Sequence, residues 1–165
     1  HTRVDILDAV LAKLKEAGCL IYSDEDSLKI VGPEKIKSIE MVQTLPYPGF
    51  PTDMQAQIMA LLSIANGTSI ISETVFENRF KHVEELIRMG ANIKTFGKVA
   101  IIKGVNELTG AKTAAKDLRG GASLVLAGLA AKGKTEIENV YHIKRGYEDF
   151  HKTLRELGAH IELVE

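Results

Sequence analysis

The 165-residue chain contains no tryptophan, a single cysteine and only 5% aromatic residues. One cysteine, Cys19, excludes an internal disulfide and any multi-cysteine metal site, and fits a reducing cytoplasm. It opens the apolar stretch CLIY behind Gly18, where a cysteine reads as a small buried hydrophobe rather than a nucleophile. No apolar run reaches the roughly 18 residues of a membrane span. The opening HTRVDILDAV carries acids and no long apolar centre, unlike a secretion signal. No excess of either charge exists: the formal net charge is −1, and basic residues are scattered. That argues against nucleic acid as a partner. Only four prolines occur, and three of them crowd into PYPGFPTDMQAQ (46–57).

What is present is a globular composition, 45% apolar and 26% charged, and a repeat. LKEAGCLI (14–21), LIRMGANI (86–93) and LRELGAHI (154–161) share one pattern, a leucine in the last helical turn, a glycine stop and an isoleucine opening a strand. Gly18, Gly90 and Gly158 suit the left-handed position that ends a helix. A second pattern interleaves: QIMALLSIANGTSII (57–71) resembles ASLVLAGLAAKGKTEI (122–137). The repeat predicts an α/β (α+β) fold of βαβαββ units. Residues 1–35 form the second half of a unit, and 36–105 and 106–165 form two further units. The missing first strand and helix imply that the chain is a fragment or that another segment completes it. A vacant helix slot would leave an apolar patch exposed.

Helices 54–65 and 121–131 are apolar nearly all round, with Leu124, Val125, Leu126, Ala127 and Leu129 leaving no polar face. Helices 5–17, 80–89 and 147–157 are amphipathic. Strand 134–140 alternates Thr135, Ile137 and Asn139 with Lys134, Glu136 and Glu138, which gives it one face in water. The apolar helices should therefore lie inside and the sheets outside.

Five charged residues fall near expected helix N-termini, where amide groups and the dipole favour anions. They are Asp53, Asp117 with Arg119, Arg79 in VFENRF, and Arg145 in HIKRGYE. Asp53 and Asp117 also suit simple helix caps, and the arginines suit surface bracing. His142 lacks a second ligand at metal-binding spacing, and His1, His82, His151 and His160 are expected to face solvent. GPEK and RGGAS are not nucleotide-binding loops. Pro46, Pro48 and Pro51 favour a catalytic Asp53, because a cap needs no such rigid frame, whereas a carboxylate that must meet a substrate hydroxyl does.

PYPGFPTDMQAQ, VFENRF with HVEELIRMGA, DLRGGASLVLAGLAAKG and HIKRGYE together closely resemble the C-terminal part of the UDP-N-acetylglucosamine 1-carboxyvinyltransferase family, over essentially the whole chain. These enolpyruvyl transferases catalyse the first step of peptidoglycan synthesis without cofactor or metal. The resemblance implies two domains of three βαβαββ units with helices inside. It places the family's catalytic cysteine and its phosphoenolpyruvate-binding lysine and arginine in the other, N-terminal domain; Cys19 does not match that cysteine. It implies that Asp53 is the base at the sugar hydroxyl and that Val75 contacts the UDP-sugar. Arg145 would bind phosphoenolpyruvate on domain closure, with Arg79, Asp117 and Arg119 lining the interdomain cleft. HIKRGYE departs from the family in Lys144, which stands where an acidic residue is expected and adds positive charge beside Arg145. Two alternatives stay open: a shikimate-pathway enolpyruvyl transferase, and a non-catalytic βαβαββ binding module in which Asp53 and Asp117 are caps.

Overall fold

The computed structural model describes residues 3–164. A short 3-10 turn, Val4–Leu7, leads into α1 (Asp8–Glu16), which ends at Gly18 (φ +99°). The chain then forms an antiparallel hairpin of β1 (Leu20–Ser23) and β2 (Leu28–Val31). The next segment runs β3 (Met41–Gln43), α2 (Gln55–Leu62), β4 (Thr68–Ser72), α3 (Val83–Arg88), β5 (Asn92–Phe96) and β6 (Val99–Lys103). Its four strands make one sheet in the order β3-β4-β6-β5, with β3 and β4 parallel and the remaining pairs antiparallel. The last segment runs β7 (Lys112–Ala114), α4 (Leu118–Ala130), β8 (Glu136–Glu138), α5 (Tyr141–Lys144) and α6 (Phe150–Glu156), with β7 and β8 parallel.

The helix stops at Gly90 and Gly158 also take positive φ, +90° and +96°. There a Cβ would be strained, so glycine is what ends these helices. The four-stranded sheet buries one face, with Val42, Ile71, Ile93, Ala100 and Ile102 inward, and leaves Met41 and Ile101 outward. α2 and α4 pack together beneath that face, and Met59, Leu62, Leu124 and Ala127 join the main core. The apolar helices α2 and α4 thus lie inside and the four-stranded sheet outside. Burial of each large apolar side chain stabilises the core by about 1.5–3 kcal/mol.

Several local expectations are corrected. α4 is not buried all round: Leu126 and Leu129 are 38% and 42% exposed, so one apolar stripe meets solvent. The strand expected over 134–140 shrinks to Glu136–Glu138, because Asn139 turns left-handed (φ +57°) and leads into α5, a helix the repeat does not show. No strand forms at Ile161, since 159–164 finds no pairing partner among the described residues. Cys19 is half-buried rather than a core residue.

Candidate active site

The proline-framed segment leaves β3 and closes back on it. The Leu45 amide donates to the Phe50 carbonyl (2.9 Å), and the Gly49 amide to the Pro46 carbonyl (2.8 Å). The Tyr47–Pro48 bond is cis. Pro51 then starts a 3-10 turn, Thr52–Met54, that runs straight into α2. Asp53 sits inside that turn. It caps nothing: neither the turn nor α2 has a side-chain cap, so the cap reading fails for this aspartate.

Its carboxylate is held instead by two arginines. Arg119 Nη2 donates to Oδ2 at 2.6 Å, and Arg79 Nη2 to Oδ1 at 2.9 Å. The carboxylate is 54% exposed, the two arginines 27% and 21%. The hydrogen bond from Arg119 is the main influence holding Asp53 below the ordinary carboxylate range; the charges of both arginines add to it and partial burial opposes it. Asp53 in return raises Arg119. Each guanidinium also rests over an aromatic ring, Arg79 over Phe76 (4.9 Å to the centroid) and Arg119 over Tyr147 (5.4 Å). The Tyr147 hydroxyl accepts from Arg119 Nη1 (2.9 Å) and from Gln57 Nε2 (3.3 Å). A planar fork bonded on two sides and stacked beneath has little freedom to swing.

Arg119 lies in the first turn of α4, which starts three residues earlier than expected. Asp117 is the cap of that helix: its Oδ1 accepts from the Gly120 amide at 2.7 Å, so here the cap reading holds. The glycine pair in DLRGGAS has a steric cause. A Cβ on Gly120 would stand 2.9 Å from the His82 Cβ, and one on Gly121 2.7 Å from Ile143. The helix end that carries Arg119 can therefore seat closely between the α3 and α5 segments.

The structure brings Asp53, Arg79 and Arg119 together. Val75 stands on the loop that also carries Arg79, with its side chain 40% exposed. Arg145 is not joined to the cluster. It ends α5, rather than preceding α6 directly, and its exposed guanidinium has no hydrogen bond or ion pair among the described residues. Lys144 beside it is exposed as well.

Three residues were missed from sequence. Tyr147 braces Arg119, although RGY placed it two residues from Arg145. Glu73 is a buried carboxylate between the two loops, and nothing in ISETVF distinguishes it from a surface glutamate. His82 was expected in solvent but is fully buried, with neither ring nitrogen hydrogen-bonded. Burial pushes it down to about 4; the Asp117 charge pulls upward, the Arg79 charge pushes further down, and the Arg79 backbone carbonyl pulls slightly back. Its neighbours Val83, Glu85 and Leu86 are buried with it, so the inward face of this segment begins at 82. His151 is half-buried and His160 exposed, while His1 lies outside the described residues. Among the described residues no group of His, Cys, Asp and Glu is arranged to hold a metal ion, and no helix is long and apolar enough to cross a membrane.

The profile of the EPSP synthase (3-phosphoshikimate 1-carboxyvinyltransferase) family matches residues 1–154. A UDP-N-acetylglucosamine 1-carboxyvinyltransferase of Caldanaerobacter subterraneus subsp. tengcongensis is 56% identical over 94% of the chain, and one of Thermodesulfovibrio yellowstonii is 50% identical over 99%. The chain spans only 37% and 39% of those relatives' lengths. Among solved structures, the enolpyruvyl transferase NikO of Streptomyces tendae superposes with a TM-score of 0.85 at 29% identity, over 94% of this chain and 36% of that one. An EPSP synthase of Acinetobacter baumannii, 17% identical, shares the fold with a TM-score of 0.75 over 95% of this chain and 40% of its own. By profile and by fold, the chain belongs to the EPSP synthase family of enolpyruvyl transferases.

Proposed function

We propose that this chain forms one wall of the active site of a UDP-N-acetylglucosamine 1-carboxyvinyltransferase. The whole enzyme would move the enolpyruvyl group of phosphoenolpyruvate to the 3-hydroxyl of UDP-N-acetylglucosamine in the cytoplasm, opening peptidoglycan synthesis. The substrate choice rests on the relatives' names at 50–56% identity, against 17% for the shikimate-type structure. The observation that carries the reading is Asp53, an ionised, half-exposed carboxylate that caps no helix and stands between two arginines on a proline-framed turn.

In this reading the sugar oxygen bonds to C2 of the enolpyruvyl group as its proton passes to Asp53 and the methylene takes up a proton; the resulting methyl then loses a proton as phosphate leaves, which restores the double bond. A base must stand within hydrogen-bond reach of that hydroxyl. Two arginines at the carboxylate keep it ionised but make it a weak base, so one ion pair has to loosen as substrates enter. Val75 would touch the UDP-sugar. The unpaired Arg145 is available for the phosphoenolpyruvate anion, to which a forked donor is suited. Asp117 would contribute through its cap, by fixing the helix end that carries Arg119. The proton donor to the enolpyruvyl methylene and the opposing cationic residues would come from an N-terminal domain of the longer protein. No thiol of this chain has the setting to replace that donor.

The test is phosphate release from phosphoenolpyruvate with UDP-N-acetylglucosamine. The isolated chain is expected to give none, because a half-site stays wet and lacks the opposite charges. Arg145→Ala in the whole enzyme is expected to weaken phosphoenolpyruvate affinity. Turnover by the isolated chain would overturn the two-domain reading, and unchanged affinity would remove Arg145 from the site.

A further inference from the structure

Glu73 follows β4 directly, and its amide donates to the Lys98 carbonyl (2.8 Å), which fixes its backbone to the loop between β5 and β6. Only 1% of the residue is exposed. Its carboxylate accepts four hydrogen bonds. Oε1 takes the Thr44 hydroxyl (2.8 Å), the Val75 amide (2.8 Å) and the Phe76 amide (3.0 Å), and Oε2 takes the Thr52 hydroxyl (2.9 Å). The Thr74 amide donates in turn to the Thr44 hydroxyl (2.9 Å). β3 and β4 are parallel, so their C-terminal ends lie side by side and the segments that leave them diverge. One segment carries Asp53 directly after Thr52; the other carries Val75, Phe76 and Arg79.

A buried carboxylate is costly unless donors surround it, and only an ionised carboxylate can accept from so many at once. Burial is the largest single influence against its ionisation. The donors from Phe76, Thr44, Val75 and Thr52 together outweigh it and hold Glu73 below the ordinary range. A cavity-filling apolar residue would pack this position without uniting the two loops. A carboxylate here ties four donors on two segments into one rigid unit directly behind the site.

We infer that Glu73 is a positioning residue of the reaction, which sets Asp53 through Thr52 and sets the Val75 loop through the Val75 and Phe76 amides. This rests on the reading of Asp53 as the base and Val75 as a UDP-sugar contact. The two arms have different kinetic signatures. Loss of the Thr52 arm misplaces the base and lowers kcat. Loss of the amide arm loosens the acceptor wall and raises KM for UDP-N-acetylglucosamine.

The experiment uses the whole enzyme with Thr52→Val, Thr52→Ser, Glu73→Ala and Asp53→Asn, reading kcat, acceptor KM and unfolding midpoint for each. Thr52→Val keeps the side-chain shape and deletes only the hydroxyl donor. It is expected to lower kcat about tenfold or more with acceptor KM within about threefold, since a misplacement near 1 Å costs on the order of a hundredfold. Thr52→Ser restores the donor and is expected to recover most of the loss. Glu73→Ala frees both arms and is expected to lower kcat and raise acceptor KM together. If it does not fold, the Thr52 pair decides alone. A purely structural role would lower the unfolding midpoints without this split. An unchanged kcat in Thr52→Val beside an inactive Asp53→Asn would overturn the positioning role and leave the base reading standing. Failure of Thr52→Ser to rescue would overturn it too. Near-normal turnover in Asp53→Asn would remove the base reading itself, and the role of Glu73 with it.

Discussion

The ion pair between Asp53 and Arg119 is open to a quantitative test by a double-mutant cycle of Asp53→Asn, Arg119→Gln and the pair. The donor–acceptor distance is 2.6 Å, short even for a charge-assisted hydrogen bond, and Arg119 is fixed by Tyr147 on its other side, so little side-chain entropy is lost in forming it. Against that, Asp53 is 54% exposed, and solvent screening keeps such pairs near the upper end of the surface range. Expected coupling is about 1 kcal/mol for Arg119, and about half that for the longer Arg79 pair. The sign of the pH dependence follows from the lowered folded value of Asp53. Its contribution is complete above the unfolded carboxylate range, declines as pH falls through it, and is gone below the depressed folded value. Denaturant unfolding of the unaltered protein and the three variants, at neutral pH and at successively lower pH, reads both. A coupling indistinguishable from zero at neutral pH, or one that survives full protonation of Asp53, would refute the pairing.

Other consequences are simpler to check. Asp117→Ala should cost about 1 kcal/mol by removing the cap of α4, whereas Asp117→Asn should be nearly neutral in thermal unfolding; a loss of turnover in Asp117→Asn without a shift in midpoint would give this residue a chemical role beyond the cap. Gly104→Ala would place a Cβ 1.7 Å from the Ala65 carbonyl oxygen, a backbone clash that should destabilise by about 3 kcal/mol or more in a melting experiment. The isolated chain should bind a hydrophobic dye through the exposed Leu126 and Leu129 of α4, and Leu126→Lys with Leu129→Glu should reduce the signal; a wild-type chain without dye binding would contradict the exposed stripe.

Much of the architecture was legible because its signals are local. A glycine that must take positive φ announces a helix end at 18, 90 and 158 whatever surrounds it. The apolar surfaces of α2 and α4 likewise mark them as interior helices. The limits of that reading show on α4, where hydropathy cannot say that Leu126 faces outward, and at Asn139, where one left-handed residue cuts the strand short. The candidate site was legible in its members but not in its connections. Asp53 meets partners 26 and 66 residues away, and only the tertiary structure can distinguish a gripped carboxylate from a cap. Asp53 and Asp117 look alike in sequence, each ahead of an apolar helix, yet one is bridged by arginines and the other caps. Glu73 and His82 escaped for a different reason: Glu73 is buried between two loops that no periodic pattern records, and His82 lies one step before the inward face of α3, against the glycine start of α4.

In the proposed reaction Asp53 takes the proton of the acceptor hydroxyl. The most direct measurement of that step is steady-state phosphate release by the whole enzyme carrying Asp53→Asn, with UDP-N-acetylglucosamine binding measured on the same preparation. Asparagine keeps the shape and can still accept a hydrogen bond, but it cannot take up the proton. If Asp53 is the base, kcat falls about a hundredfold to ten-thousandfold while UDP-N-acetylglucosamine still binds. Turnover close to that of the unaltered enzyme would contradict it.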